Sequence, residues 1–168
     1  VLVWKTLPLN GEPPDLVFRG SIGSVRFQSL AGVAMDGKYF YLADAQANKV
    51  YVWEGLPTQD SAPKYTLDIA SQRLDSDGTY LLVTATFDQA IQVFRVATLS
   101  STARPISVGG RGRLNLPSSA AVAGGHLFIA DTSFSRVLVW RNIEDALSGK
   151  WPPDVVLGKP TMDDRQPR

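Results

Sequence analysis

The hydrophobic positions of this 168-residue chain fall into short alternating runs, interrupted every few residues by Gly, Asp, Pro or Ser. Short runs rich in Val, Leu, Tyr and Phe and bounded by turn formers read as β-strands rather than amphipathic helices. One run recurs four times: VLVW at 1–4, VYVW at 50–53, IQVF at 91–94 and VLVW at 137–140. Its closing aromatics, Trp4, Trp53, Phe94 and Trp140, lie 49, 41 and 46 residues apart. Nine residues before the last three of them another apolar run ends: KYFYLAD at Asp44, TYLLVTA at Ala85 and HLFIAD at Asp131. Fourteen residues after the first three comes a third run, containing Phe18, Leu67 or Val108, while the last copy, DVVL, is displaced by a short insertion. A fourth segment of small residues, GVAMDG, RLDSDG or SAAVAG, precedes each KYFYLAD-type run. Only RNIEDAL at 141–147 has the pattern of a helical turn.

Each unit is thus four short strands repeating at about 45 residues, the signature of an all-β β-propeller built of four-stranded blades. The small-residue strand belongs innermost, and the bulky alternating residues supply the faces by which blades stack. The chain is expected to cover about three and a half blades, half of a six- or seven-bladed ring. The pattern divides it into an outer half-blade over 1–20, blades over 21–70, 71–112 and 113–160, and an inter-blade loop over 161–168. Because it opens at a third strand and an open arc leaves blade faces uncovered, a fragment of a longer propeller is expected. Its partner is then the remaining half, from the same protein or a second copy. The final Arg168 suits a trypsin-like nick.

Charge and composition narrow the chemistry. With 17 Lys and Arg against 16 Asp and Glu, the net charge of +1 supplies no strong overall field toward nucleic acid or acidic membrane. The absence of cysteine excludes disulfides, a thiol nucleophile and thiolate metal ligands. No apolar stretch reaches the roughly 18 residues of a spanning helix.

The segments LAGVAMDGKYFYLADAQANKVYVW and LPSSAAVAGGHLFIADTSFSRVLVW resemble NHL repeats. RVLVWRNIEDALSGKWPPDVVLGKP is similar to a bacterial subset of that family, whose blades end in a Val-Leu-Gly-Gln-Pro phrase after an Arg-Val-Leu-Val-Trp strand. The middle unit, SQRLDSDGTYLLVTATFDQAIQVFRV, lacks the Ala-Asp and Asn-x-Arg elements and looks as much like surface-layer and lactonase-type propeller repeats. The resemblance implies a propeller, and a bacterial secreted or cell-envelope protein that binds a protein, a glycan or RNA. Two enzymatic variants are also implied: a zinc lyase, which needs more histidines than the single His126, and a calcium lactonase with axial carboxylates.

Candidate residues follow from their places in the repeat. Asp44 and Asp131 end second strands, with Lys49 and Arg136 five residues on, so each carboxylate is expected to cap a turn and pair with the basic residue opposite. Asp36 and Asp77 precede Gly37 and Gly78 and read as Asp-Gly turns. Arg73 and Asp75 replace the small residues of the other inner strands, and are expected to line the channel as a ligand-binding pair or a salt bridge. VGGRGRLNLP has no following helix and is not a dinucleotide loop. No Ser-His-Asp set is assembled around the single His126 unless missing blades supply members, so neither a catalytic residue nor a metal or other cofactor is assigned. Loops expected on one propeller face carry Arg19, Arg26, Arg73, Arg111, Arg113, Lys159 and Arg165, joined by Lys49 and Arg136, against Asp88, Asp163 and Asp164. That face is expected to be net basic and ligand-binding, with Phe27 and Phe134 as stacking surfaces. The sequence thus favours a noncatalytic scaffold, with an axial metal enzyme completed by missing blades and RNA binding on the basic face as alternatives.

Overall fold

The computed structural model describes residues 1–164. Strands β1 (Leu2–Val3) and β2 (Leu16–Val17) form an antiparallel pair. A small hairpin follows, β3 (Ser21–Ile22) and β4 (Val25–Arg26), in a stretch that the sequence pattern reads as connection. The first blade comprises β5 (Leu30–Met35), β6 (Tyr39–Asp44), β7 (Lys49–Glu54) and β8 (Tyr65–Asp68). The second comprises β9 (Arg73–Ser76), β10 (Tyr80–Ala85), β11 (Ala90–Arg95) and β12 (Ile106–Gly109). The third comprises β13 (Pro117–Ala123), β14 (His126–Asp131), β15 (Arg136–Trp140) and β16 (Val155–Leu157). A five-residue helix, α1 (Ile143–Leu147), sits in the insertion before β16. All three blades are antiparallel meanders with strands in sequence order, the architecture of a partial β-propeller.

Strand alternation decides which side chains meet which neighbour. In β6, Tyr39, Tyr41 and Ala43 point to the second blade, where Leu81, Val83 and Phe94 receive them. Phe40 and Leu42 point the other way, onto Phe18 and Ile22 with Val1, Val3 and Leu16. The opposite face of the second blade, Leu82, Ile91, Val93 and Val108, packs on Leu127, Ile129, Leu138 and Trp140 of the third. Every residue of β6 and β10 is therefore buried, whereas β14 alternates because only one of its faces is covered. Each fully buried aromatic or aliphatic side chain at these interfaces contributes roughly 1.5–3 kcal/mol through removal from water.

Inner strands approach closely where the sequence is small. A Cβ on Gly32 would lie 3.1 Å from the Cα of Arg73 and from the backbone nitrogen of Leu74, so a larger residue there would push β5 and β9 apart by a few tenths of an ångström. At the outer side the repeat aromatics tie down loops. The indole N–H groups of Trp4, Trp53 and Trp140 donate to the carbonyls of Glu12, Ser61 and Lys150 at 2.9, 3.2 and 3.1 Å. Phe94, lacking an N–H, fills the same place in the second blade through packing alone.

Candidate functional site

The hairpins joining second to third strands and the connections between blades meet on one face, where hydrogen bonds donated to the repeat carboxylates hold them together. Asp44 accepts the backbone N–H groups of Gln28 at 2.6 Å, Ser29 at 2.9 Å and Ala47 at 3.2 Å. Burial opposes its ionisation, but those amides and that of Gln46 outweigh it and hold the carboxyl below its ordinary value. Asp44 caps its turn as the sequence indicates, yet its expected partner is elsewhere: Lys49 donates to Asp68 at 2.5 Å across the outer strand pair. Both carboxylates face Lys49 in register, but Asp44 is buried and already held by backbone amides, whereas Asp68 is exposed and lets the ammonium keep its hydration.

Asp131 behaves as anticipated, accepting the Asn115 N–H at 2.7 Å and the Arg136 Nε at 2.8 Å with both side chains buried. Arg136 uses its remaining nitrogens on the carbonyls of Met162 and Arg113, each at 2.7 Å, and its guanidinium lies 4.9 Å from the Phe134 ring centroid. In the second blade Ala85 stands opposite Ala90, and the Gln72 side chain accepts the Thr86 N–H at 3.0 Å instead.

The inner strands place Arg73 and Asp75 differently from the expected channel pair. Arg73 donates to the carbonyls of Ala31 at 2.8 Å and Gln72 at 3.0 Å, and Asp75 accepts the Val122 N–H at 2.8 Å. One residue straps the second blade to the first and the other straps it to the third, and no ion pair between them is found among the described residues. Asp36 works the same way at the far end of the inner strands. Its carboxylate takes the Lys38 and Tyr39 amides of its own turn, the Tyr41 hydroxyl at 2.6 Å and the Ser76 hydroxyl at 2.7 Å. Burial pushes against its charge, but the Tyr41 hydroxyl and the other donors bring it below the ordinary carboxylate range. Burial and the hydrogen bond to Asp36 raise Tyr41. Asp77 accepts the Thr79 and Tyr80 amides, as an Asp-Gly turn requires.

Farther out, Glu144 of α1 receives a bidentate pair of hydrogen bonds from Arg95 at 2.6 and 2.7 Å and one from the Tyr80 hydroxyl. The Arg95 guanidinium first, and Tyr80 second, lower Glu144 to about 2. Nothing in the α1 sequence pattern signals this inter-blade clamp.

The basic face is smaller than the sequence suggests. Arg136 is buried, and the buried Lys159 has its ammonium 4.0 Å from Asp164. Arg165 lies outside the described residues. Arg19, Arg26, Arg111 and Arg113 remain exposed, with Arg113 set 5.2 Å from the Trp151 ring centroid. Phe27 packs against the first-blade core and also lines a hollow, while the more prominent aromatic is one that sequence reasoning misses: Phe87, 77% exposed in the turn after β10. No repeat position flags it, since Phe87 aligns with Ser133 and not with the Phe134 that the Arg136 guanidinium covers. His126 stacks on Phe128 and contacts the Gly124 carbonyl at 3.0 Å. Among the described residues no group of three or more His, Asp or Glu side chains is placed to hold a metal ion, and no helix is long and apolar enough to cross a membrane.

No known protein-family profile matches the chain, and no curated protein matches it significantly by sequence. Solved structures do. The computationally designed Ika4 protein superposes with a TM-score of 0.60 at 13% identity, over 86% of this chain and 82% of its own. Hydrazine synthase of Kuenenia stuttgartiensis gives 0.52 at 13% identity, over 74% of this chain and 36% of its own. A humanized mutant of the Chaetomium thermophilum Polycomb Repressive Complex 2, bound to the inhibitor GSK126, gives 0.51 at 13% identity, over 71% and 36%. This chain therefore spans about a third of those last two, and the likeness in all three is one of fold.

Proposed function

We propose that this chain is part of a noncatalytic, NHL-like propeller that acts as a rigid binding scaffold through its loop face. One observation carries the reading. The carboxylates at the hairpins and inner strands are committed to backbone amides and inter-blade straps, while the loop face keeps Arg19, Arg26, Arg111 and the Phe87 ring turned to solvent. Groups tied down in this way rigidify a platform, and exposed arginines and aromatics are the side chains that dominate recognition surfaces. The corner of Asp131, Arg136 and Asn115, together with the repeated indole tether, supports the NHL-like assignment. Protein and glycan ligands both fit such a surface.

The test is a screen of immobilised chain against glycan and peptide arrays. Each hit is then re-measured with Arg111→Glu plus Arg113→Glu, with Phe87→Ser, and with Arg104→Glu at the outer edge. The expected result is a ligand lost with the first two changes and retained with the third. Ligands insensitive to every loop-face change, or turnover of a lactone substrate by the purified chain, overturn the reading.

A further inference from the structure

The β3–β4 hairpin frames a hollow of about 540 Å³, lined by Arg19, Gly20, Ser21, Gly23, Ser24, Arg26 and Phe27. No carboxylate lines it, and the Arg19 and Arg26 guanidinium groups make no ion pair among the described residues. The two arginines and two serines therefore present only hydrogen-bond donors and neutral hydroxyls toward the same space. In a chain whose net charge is +1, this is a local concentration of positive charge with no carboxylate in its lining.

The hollow is also pre-shaped. Ile22, fully buried, pins the hairpin to the core. The Gly23 N–H donates to the Gln59 carbonyl at 2.7 Å, and the Gln59 side chain donates to the Ser21 carbonyl at 3.3 Å. A Cβ on Gly23, whose φ is +55°, would fall 2.4 Å from the Ser61 carbonyl oxygen, so the hairpin lies flush on the 59–61 loop. The Phe27 N–H closes the base by donating to the Gly20 carbonyl at 2.8 Å. Asp44, the carboxylate that anchors the hairpin's exit, is occupied by the Gln28 and Ser29 amides. The backbone that carries Arg19, Ser21, Ser24 and Arg26 is thus held in place before a ligand enters.

We propose that this hollow binds a tetrahedral oxyanion ester, a phosphate or sulfate carried by a sugar-sized molecule, with Arg19, Arg26, Ser21 and Ser24 around the anion and Phe27 against the organic part. Guanidinium forks match the oxygen geometry of phosphate and sulfate better than ammonium groups do. The volume lies within the range of small-molecule pockets and exceeds what a bare ion fills, which points to an ester. The site lies in the connection between the outer half-blade and the first blade and deepens the binding reading given above.

Isothermal titration of the 168-residue chain with glucose 6-phosphate, glucose 6-sulfate, inorganic phosphate and glucose tests it. Saturable one-site binding is expected for at least one ester, weaker binding for inorganic phosphate, and none for glucose. Arg19→Gln and Arg26→Gln are each expected to weaken ester binding about tenfold, as loss of one charged hydrogen-bonding group does, and the double change to abolish it. Arg104→Gln is expected to leave it unchanged, and circular dichroism checks that every variant is folded. No saturable binding of either ester, equal binding of glucose, or binding that survives the double change overturns the site. An array ligand lost through Arg111 and Arg113 while both esters fail to bind would refute the oxyanion site and leave the scaffold reading standing.

Discussion

The first and third blades carry nearly the same phrase at the same corner, yet they close it by different chemistry. In the first, Asp44 is consumed by three backbone amides and Lys49 turns outward to Asp68. In the third, Asp131 takes one amide from the preceding connection, and Arg136 spreads three nitrogens over Asp131, Met162 and Arg113. A planar fork with several donors can be buried because each donor finds an acceptor, whereas a point-like ammonium is better left at the surface. The identity of one basic residue thus decides whether the corner is a buried clamp or an exposed ion pair. The second blade, with alanines at both places, shows that the corner also closes without either, through Gln72.

The largest expected difference between the two corners comes from removing the acid. Asp131→Ala leaves the Arg136 charge buried beside an empty place and should cost about 4 kcal/mol in urea unfolding. Asp44→Ala strands backbone amides but no charge, and about 2 kcal/mol is expected. Equal losses would erase the distinction. Exchanging the basic residues sharpens it: Arg136→Lys should cost about 2 kcal/mol through lost hydrogen bonds, and Lys49→Arg less than about 0.5 kcal/mol because its pair is exposed. A third contrast lies in the indole tethers, since Trp140→Phe should lose about 1 kcal/mol with the Lys150 bond and make the third blade resemble the second at Phe94.

A further, pH-dependent effect is electrostatic and binds the second blade to the third. Glu144 is lowered from 4.5 to about 2 by Arg95 and Tyr80, so its contribution is fully present above pH 4.5 and is lost as pH falls through about 2. Because the pair is about half exposed, Glu144→Gln should cost no more than about 1 kcal/mol at neutral pH. Thermal melts of both proteins should converge near pH 2, and a gap that persists there would assign the stabilisation to packing of α1.

The fold was legible because alternation and repeat spacing act at a distance of a few residues: the aromatics at Trp4, Trp53, Phe94 and Trp140 mark third strands whatever surrounds them. The Asp131–Arg136 pair was legible for the same reason, since facing residues of a hairpin have fixed register. What escaped depends on neighbours far away in sequence. Arg73 and Asp75 read as a pair along one strand, but each is turned to a different adjoining blade, with Ala31 and Val122 supplying acceptor and donor. Lys159 reads as a surface base and is buried. The β3–β4 hairpin escaped because two-residue strands carry too few positions to show a period.

Gly32 has a consequence beyond its own contact. The inner strands meet at backbone distance there, while farther out the same blades are held apart by rings such as Tyr39 and Phe94. The ratio of those two separations sets the angle between adjoining sheets, and in a stacked array such angles accumulate from unit to unit. A side chain at Gly32 would act as a shim at the apex, and a few tenths of an ångström at that point would swing the distant rim much farther. Curvature, and with it the number of units that a circle admits, is in this sense written into the smallest residue of the innermost strand.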